Sequence, residues 1–372
     1  MIVFALASFI AFIGLIARKS KLVGGLLVVF MVIIGLGNTD NSDYRMFSTQ
    51  YDNPQIWKIY GASEPGYQFL MKVFRSFSLS FMTFRNFLLL VAIILVIATI
   101  LDFSESISAV LALFFFVPFI INITQYRFFF ASSICLFALR FLLKDKKHGL
   151  WVYIALVILA GTFHYSTLFY LLFAAIRVFD QKNIRYCSVA VTVISLALIP
   201  TGVMRKLFQS MTTEEKATAY FGKTQGWGVV LAWLLLLTMV LLVQYAMASR
   251  GYTAENTLPA FNRTSLTAEN RKIAYLELIR RMNYLCLPIL ILLFFDVASC
   301  YRLFRGLLFL EYTAFFVSQF ELKPLNDNKD DRERLLLSMG LVFLCGINFW
   351  ALTTMHLIEN WFYPVLDQNI FW

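Results

Sequence analysis

Charge is what this sequence has least of. Only 15% of its 372 residues are Asp, Glu, Lys or Arg, while 60% are apolar. A soluble chain of this length needs more charge to cover its surface, so a soluble globular domain is excluded. Histidine occurs three times and cysteine five times. The cysteines (Cys135, Cys187, Cys286, Cys300, Cys345) are scattered without a CxxC pair, and read as buried inert thiols rather than ligands or disulfides. There is no HExxH and no DxD on a loop, so neither a metal nor another cofactor is expected. No basic-aromatic module speaks for nucleic acid. Low-complexity linkers and internal repeats are missing too. Apolar runs such as Leu231–Val243 and Leu88–Leu101 lack the alternation that barrel strands require, which excludes a β-barrel. Met1–Ala17 has no basic segment ahead of its apolar stretch and is expected to be a retained first helix.

What is present is apolar sequence in runs long enough to cross a bilayer, which takes roughly 17 to 25 residues as a helix. Mean hydropathy is +0.72. In hydrocarbon each unpaired backbone amide costs several kcal/mol, so the spans must be helical. The runs fall near 2–17, 22–37, 84–101, 107–121, 128–143, 149–163, 165–179, 186–200, 227–248, 273–295, 303–320 and 335–352. The expectation is an all-α polytopic integral membrane protein of about twelve transmembrane helices, a single domain over 1–372. The 149–179 stretch reads either as two short helices meeting at His164 or as one helix and a re-entrant piece. Residues 66–82 are amphipathic, with Lys72 and Arg75, and suit a helix along the membrane surface.

The net charge of +10 is the usual excess of cytoplasmic Lys and Arg beside anionic lipid. Alternate connections carry most of it: Arg18, Lys19 and Lys21; Lys144, Lys146 and Lys147; Arg177, Lys182 and Arg185; Arg250, Arg263, Arg271 and Lys272; Lys323, Lys329, Arg332 and Arg334. Those are assigned to the cytoplasm. Both termini and the loops at 38–66, 122–127, 201–226 and 296–302 then face outward.

The 38–66 loop mixes Asp40, Asp43, Asp52 and Glu64 with Tyr44, Tyr51, Trp57 and Tyr60. Rings stack on sugar faces and carboxylates accept from hydroxyls, but an aromatic interfacial belt has the same composition. Three further polar groups fall at the same outer level: Asn122 to Arg127, the Gly161-Thr-Phe-His164-Tyr-Ser166 stretch, and Asp296 through Arg302 to Arg305. Ionisable groups at membrane depth are costly and usually serve a purpose. Each also has a plain reading, as a snorkelling arginine or a packed histidine. Together they would make an outward cavity of cations, an imidazole and carboxylates. Arginines bind a diphosphate bidentately and stabilise its charge as it leaves. A histidine or carboxylate can take the proton of an attacking sugar hydroxyl.

The order of these motifs resembles the EpsG-like family of Wzy-type polysaccharide polymerases. The matching residues are Asp43-Tyr44, Glu64-Pro-Gly66-Tyr67, Gln125-Tyr-Arg127, His164-Tyr-Ser166 and Tyr301-Arg302. The resemblance is densest over 40–170 and sparse beyond. It implies a multi-pass enzyme of the bacterial inner membrane, similar in fold to GT-C glycosyltransferases, with its site on the periplasmic or outer face. Such an enzyme moves a growing glycan from undecaprenyl diphosphate to the non-reducing end of a lipid-linked oligosaccharide repeat, making that lipid-linked oligosaccharide donor and acceptor alike. The product would be O-antigen, capsule or exopolysaccharide. Membrane lipids and a chain-length-determining co-polymerase are the other implied partners. On that reading Arg127 and Arg302 hold the diphosphate with help from Arg305. Asp43 or His164 is the general base, and Tyr44, Glu64, Tyr67, Gln125 and Tyr301 bind sugars or brace the arginines. Without a metal, in-line attack predicts inversion. An O-antigen ligase uses the same donor and is the rival enzyme. A lipid-linked oligosaccharide flippase is the non-enzyme rival, although it should show two similar halves.

Overall fold

The computed structural model describes residues 2–39, 41, 44–56, 64–143, 146–198, 201, 227–262, 267–293, 297–325, 331–354 and 363–371. These residues are helical almost throughout. No strand occurs among them, only an isolated antiparallel bridge between Asn38 and Asn369. The 201–226 loop, apart from Thr201, lies outside the described residues, as do Asp43, Trp57, Tyr60 and Asp296.

In chain order the helices are α1 (Ile2–Ile16), α2 (Lys21–Gly37), α3 (Tyr44–Asp52), α4 (Pro65–Ser76), α5 (Phe81–Phe103), α6 (Ile107–Phe114), α7 (Ile120–Thr124), α8 (Tyr126–Ala138) and α9 (Lys146–Phe163). They continue with α10 (Ala175–Val178), α11 (Gln181–Leu198), α12 (Trp227–Ser249), α13 (Ala254–Phe261), α14 (Ala268–Leu292), α15 (Val297–Phe316), α16 (Asp331–Thr354) and α17 (Tyr363–Asp367). Starts follow local chemistry. Ser20, Ser80 and Thr267 accept from the amides of Val23, Thr83 and Asn270, and Pro65 opens α4, where a missing N–H costs nothing. Among the described residues five stretches are long and apolar enough to cross a membrane: Phe81–Phe103, Ile107–Thr124, Tyr126–Leu143, Gly228–Ser249 and Asp331–Ala351. Shorter apolar helices flank them. The protein is membrane-embedded.

Two connections hold helix where the sequence reads as loop: α3 inside 38–66, and α13 inside 250–272. The 149–179 ambiguity resolves into two helical pieces. Helix α9 ends at Phe163, His164 is extended (φ −156°, ψ 110°), and a tighter helix runs over Tyr165–Ala174.

The connections gather at two ends. At one, Glu105 bonds both Lys19 (2.8 Å) and Lys272 (2.7 Å), and Lys272 reaches Glu321 (2.7 Å). There Asp102 meets Arg271 at 2.8 Å, and the buried Glu277 holds Arg280 and Arg281, each at 2.8 Å. At the other end Thr39 donates to Gln368, and the buried Arg85 donates to the carbonyls of Gly35, Leu36 and Asn38. Those carbonyls are the open C-terminal acceptors of α2, so Arg85 closes that helix end. Burying a guanidinium is tolerable only because its protons are taken up in this way.

Candidate functional site

At the second end two helical paths are interrupted and a third helix begins, and each place carries polar side chains inside the fold. Gln125 breaks the path between α7 and α8 (φ −101°, ψ 47°), so Arg127 sits in the first turn of α8. His164 breaks the path after α9. Arg302 and Arg305 lie one turn apart near the start of α15, on one side of that helix.

Arg127 is the hub. Its Nη1 lies 2.5 Å from Glu64 Oε2, and both side chains are mostly buried, at 16% and 8% exposed. Its guanidinium sits 3.9 Å from the ring centre of Phe47 and 5.1 Å from that of Tyr67. The Tyr67 hydroxyl lies 2.6 Å from that of Tyr126. Burial pushes the Tyr67 phenol up to about 12 against the opposing pull of Arg127, so it stays a neutral hydrogen-bonding group.

Glu64 reaches Arg127 because α4 packs hard against the end of α9. A Cβ on Gly66 would stand 2.1 Å from Thr162 Oγ1 and 2.9 Å from Thr162 Cβ. The glycine of the Glu64-Pro-Gly66-Tyr67 motif is therefore a close-approach residue.

The imidazole of His164 is fixed on one side by the Ser166 hydroxyl, 2.8 Å from Nδ1. When Nδ1 donates to Ser166, Nε2 is left with the lone pair that a base needs. The edge of Phe128 packs on the ring at 5.4 Å between centroids, and the Arg302 guanidinium lies 5.9 Å from the centre of the same phenyl. Arg127 and Arg302 are both close enough to act electrostatically on His164.

Arg305 is fully buried, and its Nη2 donates to Gln125 Oε1 at 2.6 Å. That partner is a neutral amide, and the Arg305 Nε has no hydrogen-bond partner among the described residues. Arg302 adds a like charge nearby. A buried cation so placed is poorly compensated.

The structure thus brings together Glu64, Tyr67, Gln125, Arg127, His164, Arg302 and Arg305. Tyr44 lies to one side, its ring edge-on to Phe81 at 5.1 Å and 5.4 Å from the Arg85 guanidinium. Tyr301 turns its hydroxyl to Asn348 Oδ1 at 3.0 Å, tying α15 to α16. Asp43 lies outside the described residues. Sequence reading passed over Phe47, Tyr126 and Phe128, whose rings wall the arginines, and Tyr170, whose hydroxyl bonds the Leu303 carbonyl at 2.8 Å and anchors the Arg302 turn. Their position beside motif residues was the only available signal, because aromatics are too common here to stand out. Among the described residues no three His, Cys, Asp or Glu side chains converge as metal ligands would. What converges is cationic.

A sequence profile of the EpsG family matches residues 22–365. No curated protein and no solved structure shows significant similarity to the chain.

Proposed function

The chain belongs to the EpsG family, and on that premise we propose that it is a membrane glycosyltransferase polymerising a polysaccharide from undecaprenyl-diphosphate-linked repeats. The observation that supports this reading best is the buried Arg305 held by a neutral amide, beside Arg302 and within one cluster with Arg127 and His164. A guanidinium without a carboxylate, kept dry, favours an anion with several oxygens. A lipid diphosphate is such an anion, and it fits a site at the end of membrane helices.

In the proposed reaction the acceptor's non-reducing-end hydroxyl attacks the anomeric carbon of the donor glycan. The bond from that carbon to the diphosphate oxygen breaks, and its electron pair leaves with undecaprenyl diphosphate. Arg127, Arg302 and Arg305 offset the charge that develops there. His164 Nε2 or Asp43 takes the hydroxyl proton. Backside attack inverts the anomeric centre. Gln125 positions Arg305, Glu64 positions Arg127, and the buried Tyr67 braces Arg127 through its ring. The arginines provide the charge stabilisation without a metal. The four shorter apolar helices together with α11, α14 and α15, read as further crossings, would complete a twelve-span frame of the GT-C kind with this site on the outer face of the bacterial inner membrane.

The purified chain, given purified lipid-linked repeat without added metal, should build a ladder and release undecaprenyl diphosphate. Arg302→Ala should stop both while leaving the protein folded. A ladder of normal length from that variant removes Arg302 from the mechanism, and no ladder from the unaltered chain removes the polymerase reading.

A further inference from the structure

At the end opposite the arginine cluster, an open cavity of about 450 Å3 lies between the 16–20 turn, Phe320 and Arg334. Two guanidiniums share one ring there: Arg18 stands 3.8 Å and Arg334 5.3 Å from the centre of Phe320. They are like charges close enough to repel. Partial burial, with Arg334 adding to it, holds the Arg18 guanidinium below its ordinary pKa. Arg334 pairs with Asp331 at 2.7 Å, a carboxylate whose side chain is 82% exposed. Lys19 is engaged with Glu105, which Lys272 shares. Arg18 has no carboxylate partner among the described residues.

The turn presenting Arg18 is fixed. The Ser108 hydroxyl bonds the carbonyls of Ala17 and Arg18 at 2.6 Å each, and the Ser108 amide adds a bond to the Arg18 carbonyl. The N-terminus of α2, capped by Ser20, opens beside the cavity and adds a modest positive potential. Ile16, 84% exposed, lines it, and Leu22, 75% exposed, follows two residues after Ser20 on α2, so exposed apolar surface lies on both helices of the turn. Charge above and exposed apolar surface alongside is the profile of a lipid headgroup region.

The geometry points to a binding site for a phosphate group, with the Arg18 and Arg334 guanidiniums taking its oxygens over the face of Phe320. An anionic lipid would place its headgroup there and its chains along Ile16 and Leu22. A soluble phosphate shares the headgroup chemistry but not the chains. The site is distinct from the proposed catalytic one and does not depend on that reading.

The test uses the full chain in detergent, titrated with phosphatidylglycerol, phosphatidylcholine or inorganic phosphate and followed by native mass spectrometry. Phosphatidylglycerol should be retained over phosphatidylcholine, about five-fold more weakly in Arg18→Gln and roughly twenty-fold more weakly in R18Q/R334Q. Inorganic phosphate should fail to displace the lipid. Arginine-dependent displacement by phosphate would assign the same site to a soluble phosphate. Retention of both probes unchanged in R18Q and in the double variant overturns the site. Should the double variant misfold on losing the Asp331 pair, R18Q alone decides, since it breaks no ion pair among the described residues.

Discussion

The Glu64–Arg127 pair gives the sharpest test of the site, because a structural brace and a substrate-binding arginine respond differently to the same pair of substitutions. The partners lie 2.5 Å apart with side chains 8% and 16% exposed. Removing one charge from so buried a pair takes from the other the counter-charge it meets here, at roughly 3–5 kcal/mol. Native stability is about 5–15 kcal/mol, so Glu64→Gln and Arg127→Gln should each melt lower yet still fold. In E64Q/R127Q neither member of the pair faces the other's site with an unmatched charge, and two amides can bond across the gap. Stability should return to within about 1 kcal/mol of the unaltered protein, a large coupling for adjacent groups. Chain growth should not return with it. Losing one preorganised donor to a developing anion costs on the order of 10²–10³ in rate. Glu64→Gln alone should keep measurable growth, because Arg127 is intact. The readouts are the melting temperature of the purified protein and the polymer ladder made from lipid-linked repeat. A double variant that regains both stability and a full ladder refutes the reasoning and reduces Arg127 to a brace.

Arg85→Ala should behave differently, stripping donors from three carbonyls at the end of α2 at a cost on the order of 3–5 kcal/mol. It should fail to accumulate as a monodisperse species in gel filtration, and normal accumulation with lost polymer would move Arg85 into the site. Gly66→Ala must push α4 off α9, since its Cβ meets Thr162 Oγ1 at 2.1 Å. Overpacking of this kind costs roughly 1–3 kcal/mol; melting temperature and ladder should fall together, with partial recovery in G66A/T162A. At the other end, Lys19 and Lys272 hold the Glu105 carboxyl down at about 2, against an ordinary 4.5. A depressed carboxylate stabilises fully above pH 4.5, and its contribution is lost as pH falls from there towards 2. Thermal unfolding across that window should lose this slope in Glu105→Gln, and an unchanged slope would show that the mostly exposed Glu105 is screened by solvent.

Helices were legible in the sequence because hydrocarbon leaves the backbone no other choice, and long apolar runs report that constraint directly. Gln125, Arg127, His164, Arg302 and Arg305 were legible for a related reason. A polar group inside or at the end of an apolar run is conspicuous, and at Gln125 and His164 the chain breaks where the polarity appears. Pairings were not legible. Arg127 meets Glu64 across 63 positions and Arg305 meets Gln125 across 180, and only packing determines that the carboxylate goes to one arginine and the amide to the other. Arg85 stayed hidden because an arginine opening an apolar run reads as an interfacial anchor. Its burial is set by a different helix, whose carbonyls end beside it. Helix α3 was missed because its residues are polar on average, while its buried Phe47 and Tyr51 pack against neighbours that sequence order does not identify.

That unequal division of partners bears on how a cationic site can exist inside a membrane protein. Three guanidiniums gathered around one imidazole would repel strongly at low dielectric, and the desolvation of each costs several kcal/mol. Glu64 offsets one of those charges in the resting protein. Gln125 gives Arg305 direction without offsetting its charge. A site neutralised by carboxylates throughout would be more stable but would hold a diphosphate poorly, since each phosphate oxygen would have to displace an anion already in place. On the proposed function, leaving Arg305 with an amide would keep part of the cluster's charge for the substrate, and the stability given up in the empty protein would be recovered when a diphosphate binds. Gln125→Glu tests that balance: it should raise the melting temperature, by neutralising Arg305, and weaken diphosphate-dependent chain growth. A variant that is more stable and equally active would show that the charge of Arg305 is not held for substrate.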